Sequence, residues 1–332
     1  MKKIRKSVFI YSLLLILLIL FSCKKSENPD TTKTKVDTKE IPYIAIISKG
    51  WQHQFWQAVK MGADNAATKL NVKITFEGPE GDYAVSKQNE MIQNALNRKP
   101  AALVIAACDS KAISPMLEKA KSMNIPVIGF DSGADSDILI TTVATNNYIA
   151  AQAAADKLAE AIGKKGEIAI LSHDGKYNIS ATGLQRRKGF ADRIKEKYPN
   201  IQIVDLQFSE GDHELSKAKS IEIIEKHPKL RGIFATNEGA AIGLINAVVE
   251  KNKEGKIVIV GYDAGKLQKD AVRSGVMLGS ISQDPVMIGY KAIEAAYKIL
   301  KGEKVEKFID TGYKWYDKSN VDSEEMKPLL YD

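Results

Sequence analysis

IAIISKGWQHQFWQAVKMGADNAATKL, residues Ile44 to Leu70, decides how the rest of the chain is read. Ile44, Ile46 and Ile47 are branched residues that suit a short strand, and Ser48-Lys49-Gly50 breaks it. A helix follows, marked by Phe55, Val59, Ala63, Ala66 and Leu70 on one 3.6-period apolar stripe. Strand, loop and helix in that order form one unit of an α/β sheet, and in open α/β sheets ligands lie beyond the carboxyl ends of the strands. This loop packs Trp51, His53, Phe55 and Trp56 into six residues. A phosphate site calls for a glycine-rich turn there. Flat rings with hydroxyl and imidazole groups suit a neutral ligand bearing many hydroxyls. Two aromatics that open a helix serve equally well as core, and this stretch alone leaves both readings open.

Working outward, strand and helix keep alternating. Apolar runs read as strands at Ile44–Ile47, Val72–Phe76, Ala102–Ala106, Val127–Phe130, Ile168–Leu171, Ile201–Leu206, Gly232–Ala235, Ile257–Val260 and Leu278–Ile281. Helical patterns lie between most of them, as at Ala84–Asn97, Ala112–Met123, Tyr148–Ile162, Leu184–Lys197, Leu215–Lys226 and Ala240–Lys251. Such alternation calls for parallel sheets covered on both faces. With 332 residues the chain exceeds one ordinary core, so two similar doubly wound lobes are expected, with the ligand cleft between them. The first boundary falls near Thr145-Asn146.

The N-terminus reads as an export leader. Lys2, Lys3, Arg5 and Lys6 precede an unbroken apolar run from Val8 to Phe21, the length of a signal-peptide core and short for a membrane span. Leu20-Phe21-Ser22-Cys23 then resembles a bacterial lipobox, which makes Cys23 the expected lipidated residue. Residues 1–22 are the expected signal peptide, and 23–40 the lipidated cysteine and its polar, Thr- and Lys-rich tether. Losing those four cations takes the formal charge from +7 to +3, too small to argue for nucleic-acid binding. Hydrophobic content of 44% and charged content of 27% describe an ordinary globular protein. Cys108, the other cysteine, ends an apolar strand and reads as a small buried hydrophobe.

Enzyme motifs are missing from the sequence. There is no G-x-S-x-G elbow, no G-x-G-x-x-G fingerprint and no P-loop ending in Lys-Ser or Lys-Thr. The histidines, His53, His173, His213 and His227, show no metal-ligand spacing, so neither a metal nor a cofactor is expected. Ser172-His173-Asp174 resembles a triad only on paper, since triads assemble in space; a turn is expected there. Polar residues at strand ends carry more weight: Asp131-Ser132, Asn237-Glu238, Asp263 and Gln283 each follow an apolar run. Any one of them could instead cap the next helix. Their convergence on one sheet edge favours a binding cleft.

Taken in order, ISKGWQHQFWQAVKMGA, IPVIGFDSGA, VATNNYIAAQAA, RRKGF at Arg186–Phe190, HPKLRGIFATNEGAAIG, IVIVGYDAG and ISQDPVMIGYKAI resemble the ribose/galactose-type (type I) periplasmic sugar-binding proteins, from Ile41 to about Lys307. The resemblance implies a ligand set of Ser48, His53, Phe55 and Trp56 from the first loop and Asp131 with Ser132 from the fourth strand end. To these it adds Arg186, Asp212, Asn237, Asp263 and Gln283. Carboxylates would accept from adjacent hydroxyls, Arg186 would offer a planar fork of donors, and the aromatic rings would cover a sugar face. Ribose-binding relatives carry arginine where this chain has Ser132 and asparagine near His53, which points to the wider class of pentose, hexose or polyol.

The implied protein is an exported, lipid-anchored monomer at the cell envelope that shuts two lobes on a sugar and delivers it to the permease of an ABC importer. It would touch the membrane through its anchor alone, bind no nucleic acid and catalyse nothing. A role as ligand sensor for a chemoreceptor or kinase is the alternative, and a glycoside-active enzyme a more distant one. By the same resemblance the lobes comprise residues 41–145 plus 284–311 and 146–283 plus 312–332, with crossings near Thr145-Asn146, Gln283-Asp284 and Thr311-Gly312.

Overall fold

A computed structural model describes residues 41–51, 53–177 and 179–331. The expected signal peptide, Cys23 and the tether lie outside the described residues. The chain runs β1 (Tyr43–Ile47), α1 (Gln54–Leu70), β2 (Lys73–Glu77), α2 (Val85–Asn97), β3 (Ala102–Ile105), α3 (Ser114–Ser122), β4 (Val127–Phe130) and β5 (Leu139–Ala144). It continues through α4 (Asn147–Ala161), β6 (Gly166–Ser172), α5 (Ala181–Lys197), β7 (Ile201–Phe208), α6 (His213–Lys226), β8 (Leu230–Ala235), α7 (Glu238–Glu250), β9 (Val258–Tyr262), α8 (Lys266–Ser274) and β10 (Gly279–Gln283). The last elements are α9 (Pro285–Leu300), β11 (Phe308–Asp310) and β12 (Tyr313–Asp317), before a short 3-10 turn.

Two six-stranded sheets result, ordered β2-β1-β3-β4-β5-β11 and β7-β6-β8-β9-β10-β12. The orders are the same once β1 to β5 are matched with β6 to β10, so the lobes repeat one doubly wound plan. All pairings are parallel except β12 against β10. The central strands β3 and β4 are buried at every residue because helices cover both faces. In the first lobe α1 and α9 pack with Ile44, Ile46, Val104 and Ile128 on one face. The intervening Ala45, Ile47, Leu103 and Ile105 meet α2 and α3 on the other. The second lobe divides likewise, α4 and α5 on one face and α6, α7 and α8 on the other.

Two glycines set the spacing of α1 against α9. A Cβ on Gly62 would lie 1.9 Å from the Val286 carbonyl oxygen, and one on Gly289 would lie 1.9 Å from that of Val59. The helices therefore touch backbone to backbone, which brings the start of α1 close to the strand end at Gln283.

The chain passes between the sheets three times: from β5 to α4, from β10 to α9, and from β11 to β12. Asp310 ties two of these passages together, its Oδ1 accepting from the N–H groups of Asn146 and Gly312. The apolar runs read from the sequence each overlap a strand. Three strands, β5, β11 and β12, have no counterpart among them. β5 alternates buried Leu139 with exposed Ile140, and β11 is three residues long and mostly exposed, so neither shows a continuous apolar run.

Candidate ligand-binding site

In each sheet the strand order reverses beside the first strand of its lobe, and the carboxyl ends there face the other lobe. Between them lies a small cavity lined by Lys49, His53, Phe55, Trp56, Asp82, Asp131, His173, Arg186, Asn237, Asp263 and Gln283.

Asp131 and Asp263 end equivalent strands, β4 and β9. Each has a left-handed backbone, φ +52° and +74°, rare for a residue with a side chain. The cause is the same in both lobes. The aspartate N–H donates to the neighbouring strand, Asp131 to Val143 O at 2.9 Å and Asp263 to Ile281 O at 2.7 Å, and the chain must then turn sharply.

Each aspartate has a cation on its own lobe. Lys49 Nζ lies 3.5 Å from Asp131 Oδ2 and 3.7 Å from Asp82 Oδ2. Burial works against the Lys49 ammonium, yet Asp82 and Asp131 hold its pKa above the usual lysine value. Burial raises Asp82 to about 6 against the pull of Lys49. In the second lobe the buried Arg186 donates from Nε to Asn147 Oδ1 and from Nη1 to Thr236 O, both at 2.8 Å, with Nη1 3.9 Å from Asp263 Oδ2. Its guanidinium lies flat on the Tyr262 ring, 3.6 Å from the centroid. Asp263 is raised by burial and held back by Arg186 and by Gln283, whose amide donates to Oδ1 at 2.7 Å.

One wall is aromatic. Phe55 and Trp56 meet edge to face at 5.0 Å, and Trp56 meets Phe130 at 6.1 Å. Trp51 instead packs on Phe76 and is 39% exposed, away from the cavity. His53 stacks at 5.7 Å on His213 from the other lobe. Burial, then His213 and Lys49, lowers its pKa to about 4, so the imidazole is neutral. His173 is likewise kept neutral by burial and by Lys49 and Arg186. Its Nδ1 pairs with Thr236 Oγ1 at 2.7 Å, whereas Asp174 holds Ser180 and Arg187; Ser172-His173-Asp174 is no triad.

Three expected ligand contacts point elsewhere. Ser48 Oγ donates to the Gly50 and Glu77 carbonyls and braces the first loop. Ser132 is fully buried and its hydroxyl does not line the cavity. Asp212 caps α6, accepting from Leu215 N at 2.8 Å. The capping alternative thus describes Asp212, while Asn237 does both: Oδ1 caps α7 at Ala240 N and the residue lines the cavity. Lys49, Asp82 and His173 line the cavity without having been singled out as ligands from the sequence. Lys49 and His173 sit just past β1 and β6, where the strand-end rule would have found them.

Asp131 Oδ2, Asp82 Oδ1, Gln283 Oε1 and His53 Nδ1 are buried in this wall without a hydrogen-bond partner. Buried polar groups are nearly always paired, so this set is suited to a ligand rich in hydroxyl donors. The lobes are shut around it. Lys49 Nζ donates to Thr182 Oγ1 across the cleft at 2.8 Å, and Asp109 Oδ2 and Ser110 take both backbone groups of Ile179. Among the described residues no group of His, Cys, Asp and Glu could hold a metal ion. Cys108 is buried with its thiol toward Lys49 O, and burial pushes the thiol up.

Two covered sheets closed over an enclosed polar cavity define a ligand-binding clamp. A model of the periplasmic binding protein domain matches residues 44–304, and the chain belongs to that family. The ribose import binding protein of Bacillus subtilis (strain 168) is 28% identical over 302 residues, 91% of this chain and 96% of that protein. Among solved structures, an ABC transporter solute-binding protein from Agrobacterium vitis with bound D-fucose aligns with TM-score 0.82 and 34% identity over 87% of this chain and all of that one. A carbohydrate transporter solute-binding protein from Agrobacterium radiobacter in complex with D-arabinose gives 0.83 and 32% over 88% of this chain and 99% of that one.

Proposed function

We propose that the protein is an exported, lipid-tethered receptor that captures one pentose or hexose between its lobes and presents the closed form to an ABC importer. The observation that carries this is the pair of strand-end carboxylates, Asp131 and Asp263, facing one small cavity from opposite lobes beside the Phe55–Trp56 wall. Each carboxylate suits a pair of adjacent hydroxyls, and the charge-assisted bonds are about twice as strong as neutral ones. The balance of Lys49 and Arg186 against three carboxylates favours a neutral ligand over an acidic sugar. The relatives holding D-fucose and D-arabinose support the same class.

A thermal-shift panel of pentoses, hexoses, 6-deoxyhexoses and inositols tests the reading. A true ligand at a hundred times its Kd should stabilise the fold by about 2.7 kcal/mol, a rise of several degrees. A flat panel defeats the assignment. The tether rests on Leu20-Phe21-Ser22-Cys23 after the apolar run. Cys23→Ser should move the protein into the aqueous phase of a detergent partition, and retention in the detergent phase would count against lipidation.

A further inference from the structure

Helices α1 and α8 each leave a first-turn N–H without an acceptor in their own lobe; in α8 Gln268 Oε1 takes the Gly265 N–H at 3.2 Å but not the next one. His53, the N-cap of α1, makes no capping bond with its ring, and Gly265, at the start of α8, has no side chain. The first N–H groups of a helix have no partner within it and are costly to bury unpaired. Each helix finds its acceptor in the opposite lobe. Glu238 Oε1, at the start of α7, accepts from Gln54 N at 3.4 Å and also faces the Phe55 N–H. Gln54 Oε1 in turn accepts from Lys266 N at 2.8 Å. Two helix starts, one per lobe, are therefore capped crosswise over the seam, and opening the lobes breaks both caps.

We propose that Glu238 is a positioning residue that makes ligand capture pH-dependent: from the second lobe it holds the start of α1, and with it His53, Phe55 and Trp56, against the ligand only when the lobes are shut. This rests on the sugar-binding reading above.

The charged and titratable groups facing Glu238 explain the pH response. Burial is the main influence, and Asp263, whose Oδ2 accepts from the Glu238 N–H at 3.0 Å, adds like charge. The N–H groups of Gln54 and Phe55 and the ammonium of Lys269 on α8 pull the other way without prevailing. Tyr316 and Tyr331, also nearby, are pushed up and stay neutral. His53 is neutral with a pKa of about 4. Glu238 is left with a pKa of about 8 against its ordinary 4.5. Closing the lobes is what buries Glu238 against α1, so the closed form holds its proton more tightly than the open one; that support is full at low pH, falls as pH rises toward 8 and is gone above it. The linkage gives about a tenfold loss of closure between pH 7 and pH 9.

Calorimetric titration with the best sugar of the panel, from pH 6 to 9.5, tests this on the whole soluble protein. The wild-type Kd should weaken about tenfold from pH 7 to 9. Glu238→Gln keeps the acceptor but has no proton to lose, and its Kd should stay flat across that range. Glu238→Ala loses the cap and should bind several-fold more weakly at both pH values. A flat wild-type profile, or a Glu238→Gln profile that tracks the wild type, overturns the proposal. If no sugar binds, the sugar reading falls and X-ray scattering decides the seam instead. The wild type should then expand between pH 7 and 9 while Glu238→Gln does not, and equal behaviour of the two refutes the role of Glu238.

Discussion

Replacing Arg186 with alanine is expected to weaken sugar binding about a hundredfold or more and to cost about 3–5 kcal/mol of stability. Both effects come from one arrangement. The guanidinium is 3% exposed, fixed by Asn147 Oδ1 and Thr236 O, and lies on Tyr262. Its removal takes away the guanidinium paired with the buried Asp263, and frees an acceptor of Asn147 that Tyr262 alone then occupies. Bonds to charged groups are worth about 1.5–3 kcal/mol each, so losing a donor to the ligand along with the order of Asp263 accounts for two decades in Kd. Arg186→Lys separates shape from charge. It restores the charge but neither the fork nor the flat stack, and should recover stability more than affinity. Chemical denaturation and calorimetry on both variants check this; an alanine variant that binds within threefold of wild type would show that Arg186 stands outside the site.

Lys49→Met is the second large effect. The lysine is 4% exposed and is the cation beside both Asp82 and Asp131. Methionine fills the space but strands two carboxylates, and breaking a buried pair from one side costs about 3–5 kcal/mol. The pH dependence gives the cause away. Asp82 already sits at about 6, above its ordinary 3.8, so the folded state holds its proton more tightly than the unfolded chain does. Without Lys49, which pulls it down, the Asp82 carboxyl moves further up. The stability gap between variant and wild type should therefore be wider at pH 8 than at pH 5, where protonation relieves the crowding. Urea unfolding at the two pH values measures it, and a gap that is equal or narrower at pH 8 contradicts this account.

The sequence announces most of this site because the fold puts function where the pattern breaks. Asp131, Asn237, Asp263 and Gln283 each interrupt an apolar run, and that interruption is visible without coordinates. Asp82 gave no such sign. It lies in Gly78-Pro79-Glu80-Gly81-Asp82, whose composition speaks of a turn, and its burial depends on Lys49 arriving from another strand. A lysine beside a glycine reads as a solvated charge until its two carboxylates are placed around it. Ser48 and Asp212 show the converse: they stand at the expected places in the chain, but nearby backbone groups engage their side-chain oxygens. The cores, by contrast, follow directly from the apolar runs, and of the three strands without such runs two, β11 and β12, are edge strands. An edge strand has one neighbour and needs no continuous apolar stretch.

The charges are also divided between the lobes in a consistent way. Lys49, Asp82 and Asp131 all lie on loops of the first lobe, while Arg186, on α5, and Asp263 belong to the second. Among the described residues no ion pair of the site spans the seam; what spans it beside Lys49 is its bond to an uncharged threonine. When the clamp parts, each half carries its nearest counterions into water, and only the longer-range attractions of Asp131 for Arg186 and of Asp174 for Lys49 are given up. Release of the cargo is thus spared the rupture of a direct ion pair, and the grip on it comes from the ligand's own hydroxyls and the hydrogen bonds along the rim.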